Sequence, residues 1–206
     1  MPTLFTEKTT TGRLDFEFSD NWQVCKYDDQ AFYAKIKNKG IKAVDFVALS
    51  QSGILLVEVK YVTATDDNSR LRFSAQDDAV NEIKNQLTPE QLVKIRLVSA
   101  RPYLVDEVCK KVTDTVLGLF AAYRKQGGDG LAFTSPLFTS GDTPILVVLF
   151  LERNTALNQP EHFKPLASHL KLEIEKRLSY LGNITVGVVN TLTLPAGLGI
   201  AAQANG

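Results

Sequence analysis

The stretch IKAVDFVALSQSGILLVEVKYV, residues 41–62, contains the two apolar segments on which the predicted fold depends. The short sequence Gln51-Ser52-Gly53 separates them and is typical of a tight turn, so we predict a β-hairpin. The second segment, ILLVEVKYV, is apolar at positions that belong to both faces of a strand. This pattern indicates a central strand that is covered on both sides.

Asp45, Glu58 and Lys60 interrupt the apolar pattern of this hairpin. A two-residue turn at 51–52 would bring Asp45 opposite Glu58. A turn at 52–53 would bring it opposite Lys60 instead. Strand side chains repeat every two residues, so both registers leave the three charged groups on one face, whereas a three-residue turn would not.

Two carboxylates side by side in an apolar environment repel each other, and keeping both ionised is costly unless a cation compensates. Mg²⁺ is usually bound by one or two carboxylates together with waters and phosphate oxygens. We therefore predict Asp45 and Glu58 as metal ligands, with the backbone carbonyl of Val59 as a third. Mn²⁺ is expected to substitute for Mg²⁺.

Lys60 would supply chemistry that the metal does not. In phosphodiester hydrolysis the attacking water must lose a proton, and negative charge gathers on the phosphate oxygens in the transition state. An ammonium group beside the metal can orient that water or neutralise that charge. Asp45, Glu58 and Lys60 are therefore the predicted catalytic residues.

Alternating strands and helices are predicted in the rest of the chain from the spacing of apolar residues. We expect an α/β fold with one central mixed sheet and helices on both faces. A single domain would cover residues 1–194, with a polar insertion or lid at 66–100 and a flexible tail at 195–206. The predicted elements are strands at 13–18, 144–152 and 184–190, and helices at 28–38, around 76–86, from Pro89, at 101–125 and at 161–181; a Gly-, Ser- and Thr-rich loop precedes residue 144.

The predicted helix at 101–125 has an apolar stripe and an opposite face that carries Glu107, Lys111, Asp114 and Gly118. Lys110 and Asp114 are four residues apart, the spacing of an ion pair on a helix. We interpret this second face as solvated and ion-paired.

Composition excludes a global attraction to polyanions, because Lys and Arg together number 23 and so do Asp and Glu. No apolar run approaches the roughly 20 residues of a membrane helix, and the N-terminal residues lack the pattern of a signal peptide. Cys25 and Cys109 lack metal-ligand spacing and fit a reducing compartment. We expect a soluble, cytoplasmic protein with no membrane partner.

Asp45, twelve intervening residues and then Glu58-Val59-Lys60 on a hydrophobic strand together resemble the motif of the PD-(D/E)xK nuclease superfamily, which includes restriction endonucleases and junction resolvases. The resemblance covers about residues 28–123. It implies a restriction-endonuclease-like core and Mg²⁺-dependent cleavage of DNA, with the acids as metal ligands and the lysine as the catalytic cation. Val44 stands where the name of the motif has Pro, a position that varies in the superfamily.

Two further expectations come from this resemblance. Many members add a glutamate from the first helix, but here only Asp28 and Asp29 are near it, and we interpret both as helix caps. The helix after the ExK strand often lends a polar residue to the site, which makes Lys111 a weaker candidate.

Lysines that precede or begin the hairpin could contact a phosphate backbone. They could equally be the solvated end of a helix, where lysines complement the helix dipole. The predicted DNA-binding lysines are Lys26, Lys35, Lys37, Lys39 and Lys42.

Other functions remain open or find little support. Asp45, Glu58 and Lys60 could form an ion pair on an exposed hairpin, and the same fold could serve as a non-catalytic module that binds nucleic acid or protein. The nucleotide-binding and acyl-transfer motifs GxxxxGK[ST], GxGxxG and GxSxG are absent. Paired cuts in duplex DNA commonly require two sites, so the sequence allows a homodimer as well as a monomer.

Overall fold

Two β-sheets and a layer of helices make up the protein. The computed structural model describes residues 2–8, 12–62, 71–73, 78–95, 97, 103–125 and 131–205. None of the helices in these ranges is both long enough and apolar enough to cross a membrane.

The larger sheet is five-stranded and mixed, as the sequence predicts, with the strand order β3-β4-β5-β6-β7. Strands β3 to β5 are antiparallel, and β5, β6 and β7 are parallel. The predicted strands of the hairpin and those near 144–152 and 184–190 are confirmed. Their bounds are β3 Gln23–Lys26, β4 Phe46–Ser50, β5 Gly53–Val62, β6 Ile145–Arg153 and β7 Ile184–Val189.

The hairpin has the first of the two registers considered above. Ser50 pairs with Gly53 and Phe46 with Val57, so the turn lies at 51–52 and the alternative at 52–53 is wrong. Gly53 has a φ of 140°, and a Cβ there would lie 2.4 Å from the carbonyl oxygen of Pro144. Only glycine combines this backbone conformation with so close an approach of strand β6.

The predicted helices are present, with changes at two places. The first helix is short and starts after Gln30 without a side-chain cap, so the predicted caps at Asp28 and Asp29 are wrong. A helix at 131–139 replaces part of the predicted loop, because Phe133 is buried in the core and Phe138 stacks on Tyr123. The helices are α1 Ala31–Ile36, α2 Asp78–Asn85, α3 Pro89–Lys94, α4 Leu104–Lys125, α5 Leu131–Thr139, α6 Thr155–Asn158 and α7 Pro160–Leu178.

Part of the predicted insertion at 66–100 is described and contains α2 and α3. Thr88 caps α3 through a reciprocal capping box with Gln91, which confirms a helix from Pro89. Residues 66–70, 74–77, 96 and 98–100 of that segment lie outside the described residues.

In the described part of the chain, helices cover one face of the five-stranded sheet. Helices α4, α5 and α7 pack there on strand residues such as Val47, Leu56 and Leu149, and we call this the helix-covered face. A three-stranded antiparallel sheet lies against the opposite face, so the prediction of helices on both faces is wrong. Its strands are β1 Thr3–Lys8, β2 Arg13–Phe18 and β8 Ile200–Asn205, in the order β1-β2-β8.

Aromatic side chains join the two sheets. Strand β2 alternates charged and apolar residues, which turns Leu14, Phe16 and Phe18 inward. The ring centroid of Phe16 lies 5.5 Å from that of Phe46 and 4.9 Å from that of Phe150. This apolar contact between the two sheets covers the face of the five-stranded sheet on which further helices were predicted.

The C-terminal segment is not the flexible tail that its small residues suggested. Residues 200–205 form β8 and pair with β2, and Ile200 is only 7% exposed. The indole Nε1 of Trp22 donates a hydrogen bond of 2.8 Å to the carbonyl oxygen of Leu198. Small side chains fit β8 because backbone hydrogen bonds, rather than side-chain bulk, hold it at the edge of the sheet.

We expect Ile200→Ala to lower the free energy of unfolding by about 2–5 kcal/mol, because it removes a buried side chain from the junction of the two sheets. Leu4→Ala is the matched control, since Leu4 is in the same sheet and 72% exposed. Its cost should stay within about 0.5 kcal/mol. Urea denaturation measures both costs. An equal, negligible cost at the two positions would contradict the packing of β8 and support the prediction of a flexible tail.

Candidate active site

The hairpin and helix α4 bring the predicted catalytic residues together on the helix-covered face. Ile54 and Leu56 of β5 point into the core on that face, so Glu58 and Lys60 continue the same row. Asp45 immediately precedes β4. The arrangement on one face that the two-residue turn predicts is therefore present.

Backbone hydrogen bonds fix Asp45. Its N–H donates to the carbonyl oxygen of Val57 at 3.0 Å, and its carbonyl oxygen accepts from the N–H of Tyr27 at 2.8 Å. The Val59 N–H donates to Asp45 Oδ2 at 2.6 Å. Because the N–H and C=O groups of a strand residue point to the same edge, the Val59 carbonyl also points toward the Asp45 side of β5.

Glu58 is the most deeply buried charged group of the site, with 0% exposure. Its Oε1 lies 2.7 Å from Nζ of Lys60 and 2.7 Å from Nζ of Lys111. Its Oε2 has no hydrogen-bond partner among the described residues. Burial, and then the charge of Asp45, raises the pKa of Glu58 to about 7, although the two lysines oppose this shift.

Lys111 of α4 contacts both acids. Its Nζ lies 2.7 Å from Glu58 Oε1 and 3.7 Å from Asp45 Oδ1. Burial alone would lower the pKa of Lys111, but the carboxylates of Glu58 and Asp45 outweigh it and raise the pKa. The interpretation of this helix face as solvated is therefore wrong, because the face turns toward the hairpin.

Glu107 and Arg72 extend the site, and the sequence analysis missed both roles. Lys60 Nζ lies 2.7 Å from Glu107 Oε1, and Arg72 Nη2 lies 2.6 Å from Glu107 Oε2. Burial would raise the pKa of Glu107, but Lys60 and Arg72 lower it below its usual value. The four-residue step from Glu107 to Lys111 was the available signal, because it aligns the two on one helix face.

Two backbone contacts hold the chain before Asp45 against the same helix face. The Lys42 N–H donates to Asp114 Oδ2 at 2.8 Å, and the Val44 N–H donates to Thr115 Oγ1 at 3.0 Å. Asp114 also forms the predicted ion pair with Lys110, whose Nζ lies 2.8 Å from Asp114 Oδ2. Helix α4 therefore positions both the hairpin entrance and the charged groups.

Asp28 lies closer to the site than its predicted capping role suggested. Burial raises its pKa to about 6; Lys26 opposes the shift, and the charge of Asp45 adds to it. Its Oδ1 is buried and accepts no hydrogen bond from the described residues. Asp28 is thus a third carboxylate within electrostatic range of Asp45.

The predicted DNA-binding lysines differ in exposure and in pairing. Lys26 is half-buried and pairs with Glu7 at 3.0 Å. Lys35, Lys37 and Lys39 are exposed on α1 and the turn after it. Lys42 is exposed beside a cleft near α4.

Asp45 and Glu58 are the candidate donors for a divalent cation. The part of the chain that the structure describes contains no group of three or more His, Cys, Asp or Glu side chains able to hold a metal ion. Asp45 and Glu58 are oxygen donors near each other, and Glu58 Oε2 is buried without a partner. Two carboxylates of this kind fit Mg²⁺, which completes its shell with waters and phosphate oxygens.

The charge compensation that the sequence assigned to a metal is already provided by lysines. Lys60 and Lys111 both contact Glu58, and Lys111 also reaches Asp45. A cation is therefore not required to neutralise the acid pair in the free protein. A metal ion that binds these carboxylates must displace the ammonium groups of Lys60 and Lys111 or bind beside them.

Comparison of the chain with models of protein families, with curated proteins and with solved structures gives no match. The resemblance to the PD-(D/E)xK superfamily therefore rests on Asp45, Glu58, Val59 and Lys60 alone.

We expect the stability of the metal-free protein to depend on Glu58 between about pH 4.5 and 7. In this window the folded protein keeps a proton on Glu58 that the unfolded chain has released, so raising the pH favours unfolding. The free energy of unfolding of the wild type, relative to Glu58→Gln, should fall across this window and level off above it. Urea titrations in EDTA measure it.

Glu90→Gln is the matched control, because it makes the same chemical change at an exposed position. A difference between wild type and Glu58→Gln that is constant from pH 4.5 to 8 would contradict the raised pKa of Glu58.

Proposed function

We propose that the protein is a divalent-metal-dependent nuclease that hydrolyses phosphodiester bonds of DNA. The observation that carries this proposal is the completely buried carboxylate of Glu58, one oxygen of which has no hydrogen-bond partner in the described part of the chain. This carboxylate lies beside a second carboxylate and two ammonium groups. Burying so many charges is costly for a structural element, and strongly perturbed carboxylates of this kind cluster at functional sites.

Asp45 and Glu58 would hold the metal, with the Val59 carbonyl as a further oxygen donor. When bound, Mg²⁺ lowers the pKa of a coordinated water and withdraws charge from a phosphate oxygen. The bond from the Val59 N–H fixes Asp45 Oδ2, which leaves Oδ1 as the freer oxygen of that carboxylate. The rigid β-strands support this arrangement better than loops would.

Lys60 would orient the attacking water or stabilise the negative charge of the transition state. Glu107 holds the Lys60 ammonium at 2.7 Å, and Arg72 holds Glu107 from its other side at 2.6 Å. Glu107 and Arg72 are therefore positioning residues. They keep a flexible lysine in one place.

DNA would approach over the exposed lysines at 35, 37 and 39 and beside Lys42. The protein has no net charge, so this attraction is local and weakens as salt increases. The monomer and the homodimer are both compatible with the proposal.

A non-catalytic module that binds nucleic acid or protein is the second candidate. The observation that favours it is that Lys60 and Lys111 already neutralise the acid pair. A site balanced in this way could be a structural ion-pair network, and metal binding separates the two candidates.

We expect the wild type to bind Mn²⁺ in calorimetry and Asp45→Asn to bind it at least tenfold more weakly, because a carboxylate ligand becomes neutral. Plasmid DNA should be nicked or cut by the wild type with Mg²⁺ and left intact in EDTA. Equal Mn²⁺ affinity in the two proteins would remove Asp45 from the metal site. Absence of both binding and cleavage would favour the non-catalytic candidate.

Lys60→Ala should lower the cleavage rate about 10²–10³-fold while Mn²⁺ affinity changes little, since it removes an electrostatic stabiliser and no metal ligand. Lys60→Arg should rescue poorly, because guanidinium is larger and planar and does not deprotonate. Lys171→Ala is the matched control: it also removes a lysine that pairs with a glutamate, at 3.7 Å on α7. Wild-type cleavage by Lys60→Ala would exclude Lys60 from the chemistry.

A further inference from the structure

Lys111 is shared between the acid pair and a neighbouring cleft. The cleft has a volume of about 310 Å³. Its lining includes Lys42, Asp106, Glu107, Lys110 and Lys111. The Lys111 side chain is 19% exposed while its Nζ contacts Glu58, so one flexible side chain borders both places.

The acids of the cleft are paired with cations. Of its lysines, Lys110 pairs with Asp114 and Lys111 with Glu58, which leaves Lys42 to meet an incoming anion first. Asp106 pairs with Arg177, and Glu107 is held by Lys60 and Arg72. Lys42 is exposed and forms no ion pair with the described residues. A phosphate group that enters this cleft would therefore be attracted by ammonium groups rather than repelled.

We propose that the cleft is a phosphate-binding subsite and that Lys111 couples it to the acid pair. In the free protein Lys111 neutralises Asp45 and Glu58; when a substrate phosphate enters the cleft, its ammonium turns to that phosphate and releases the carboxylates to a divalent cation. This inference rests on the proposed metal-dependent function and adds how substrate and metal bind together.

The ammonium group and a divalent cation compete for the same two carboxylates. Lysine has three donors and no acceptor, so it cannot ligate a metal and instead competes with one for carboxylate oxygens. Its four-carbon stem allows the charge to move while the backbone of α4 stays in place. A phosphate in the cleft gives the Lys111 ammonium a new anionic partner when the cation takes its place at the carboxylates.

Such competition has two thermodynamic consequences. Removing the ammonium should strengthen cation binding, because the cation no longer displaces it. An anion in the cleft should also strengthen cation binding in the wild type, and by linkage the cation should strengthen anion binding by the same factor.

Calorimetry with Mn²⁺ on the wild type, Lys111→Met and Lys171→Met tests the first consequence. We expect Lys111→Met to bind Mn²⁺ at least tenfold more tightly than the wild type, and Lys171→Met, on helix α7, to match the wild type. Equal or weaker binding by Lys111→Met would overturn the proposal, because Lys111 would then assist the cation site or be irrelevant to it.

Sulfate serves as the probe for the second consequence, since it is a tetrahedral dianion like phosphate and leaves Mn²⁺ in solution. Sodium sulfate should raise the Mn²⁺ affinity of the wild type severalfold over sodium chloride of the same ionic strength, and should have no such effect on Lys111→Met. An equal effect on both proteins, or none on the wild type, would remove the coupling.

Lys111→Met leaves Asp45 without its ion pair and Glu58 with Lys60 as its remaining cation, and could unfold without metal. Thermal melts of Lys111→Met and Lys111→Gln with and without Mn²⁺ keep the test decisive. We expect Mn²⁺ to raise their melting temperatures more than that of the wild type, and an equal or smaller rise would count against the proposal. Absence of Mn²⁺ binding in all variants would instead refute the metal-dependent function itself.

Discussion

The burial of the Glu58 carboxylate between two ammonium groups is the constraint on which the site depends. A carboxylate with no access to solvent must be compensated within the protein, and Lys60 and Lys111 lie 2.7 Å from its Oε1. Each lysine also contacts another acid, which gives a network of alternating charge that runs from Asp45 to Glu107 and ends at Arg72. Removing one member takes a charged partner from each of its neighbours, so these groups act as a unit.

This network explains the shape of the surrounding fold. Helix α4 carries an apolar stripe that packs on the sheet and a polar face that closes over the end of the hairpin, where Asp114 and Thr115 bind the backbone before Asp45. The second sheet leaves the helix-covered face free for this arrangement, because Phe16 and its neighbours cover the other side. One face of the five-stranded sheet therefore has an apolar contact with the second sheet, and the helix-covered face has the charged contact with α4.

The same network bears on function because the charge of its two carboxylates, Asp45 and Glu58, can be neutralised in two ways. Ammonium groups neutralise the acids in the free protein, and a divalent cation could do so when a phosphate is present. The energetic gap between these states decides whether the protein is a nuclease or a balanced binding module. Among the described residues, Lys111 alone contacts the acid pair and also lines the cleft, so in the proposed function the choice depends on where one side chain finds the stronger anion.

The sequence by itself determined the hairpin, its one-face charge pattern and most of the strands and helices, because apolar periodicity and a two-residue turn are local properties of the chain. It could not determine which way the polar face of α4 turns, so this face was interpreted as solvated, and Lys111 became a weaker site candidate only through the resemblance. Nor could it show that residues 200–205 pair with β2, since the small side chains of β8 carry no signal and the partner strand is far away in sequence. Tertiary packing decided these points, because the contacts that bury Glu58 and Ile200 join segments that no local pattern connects.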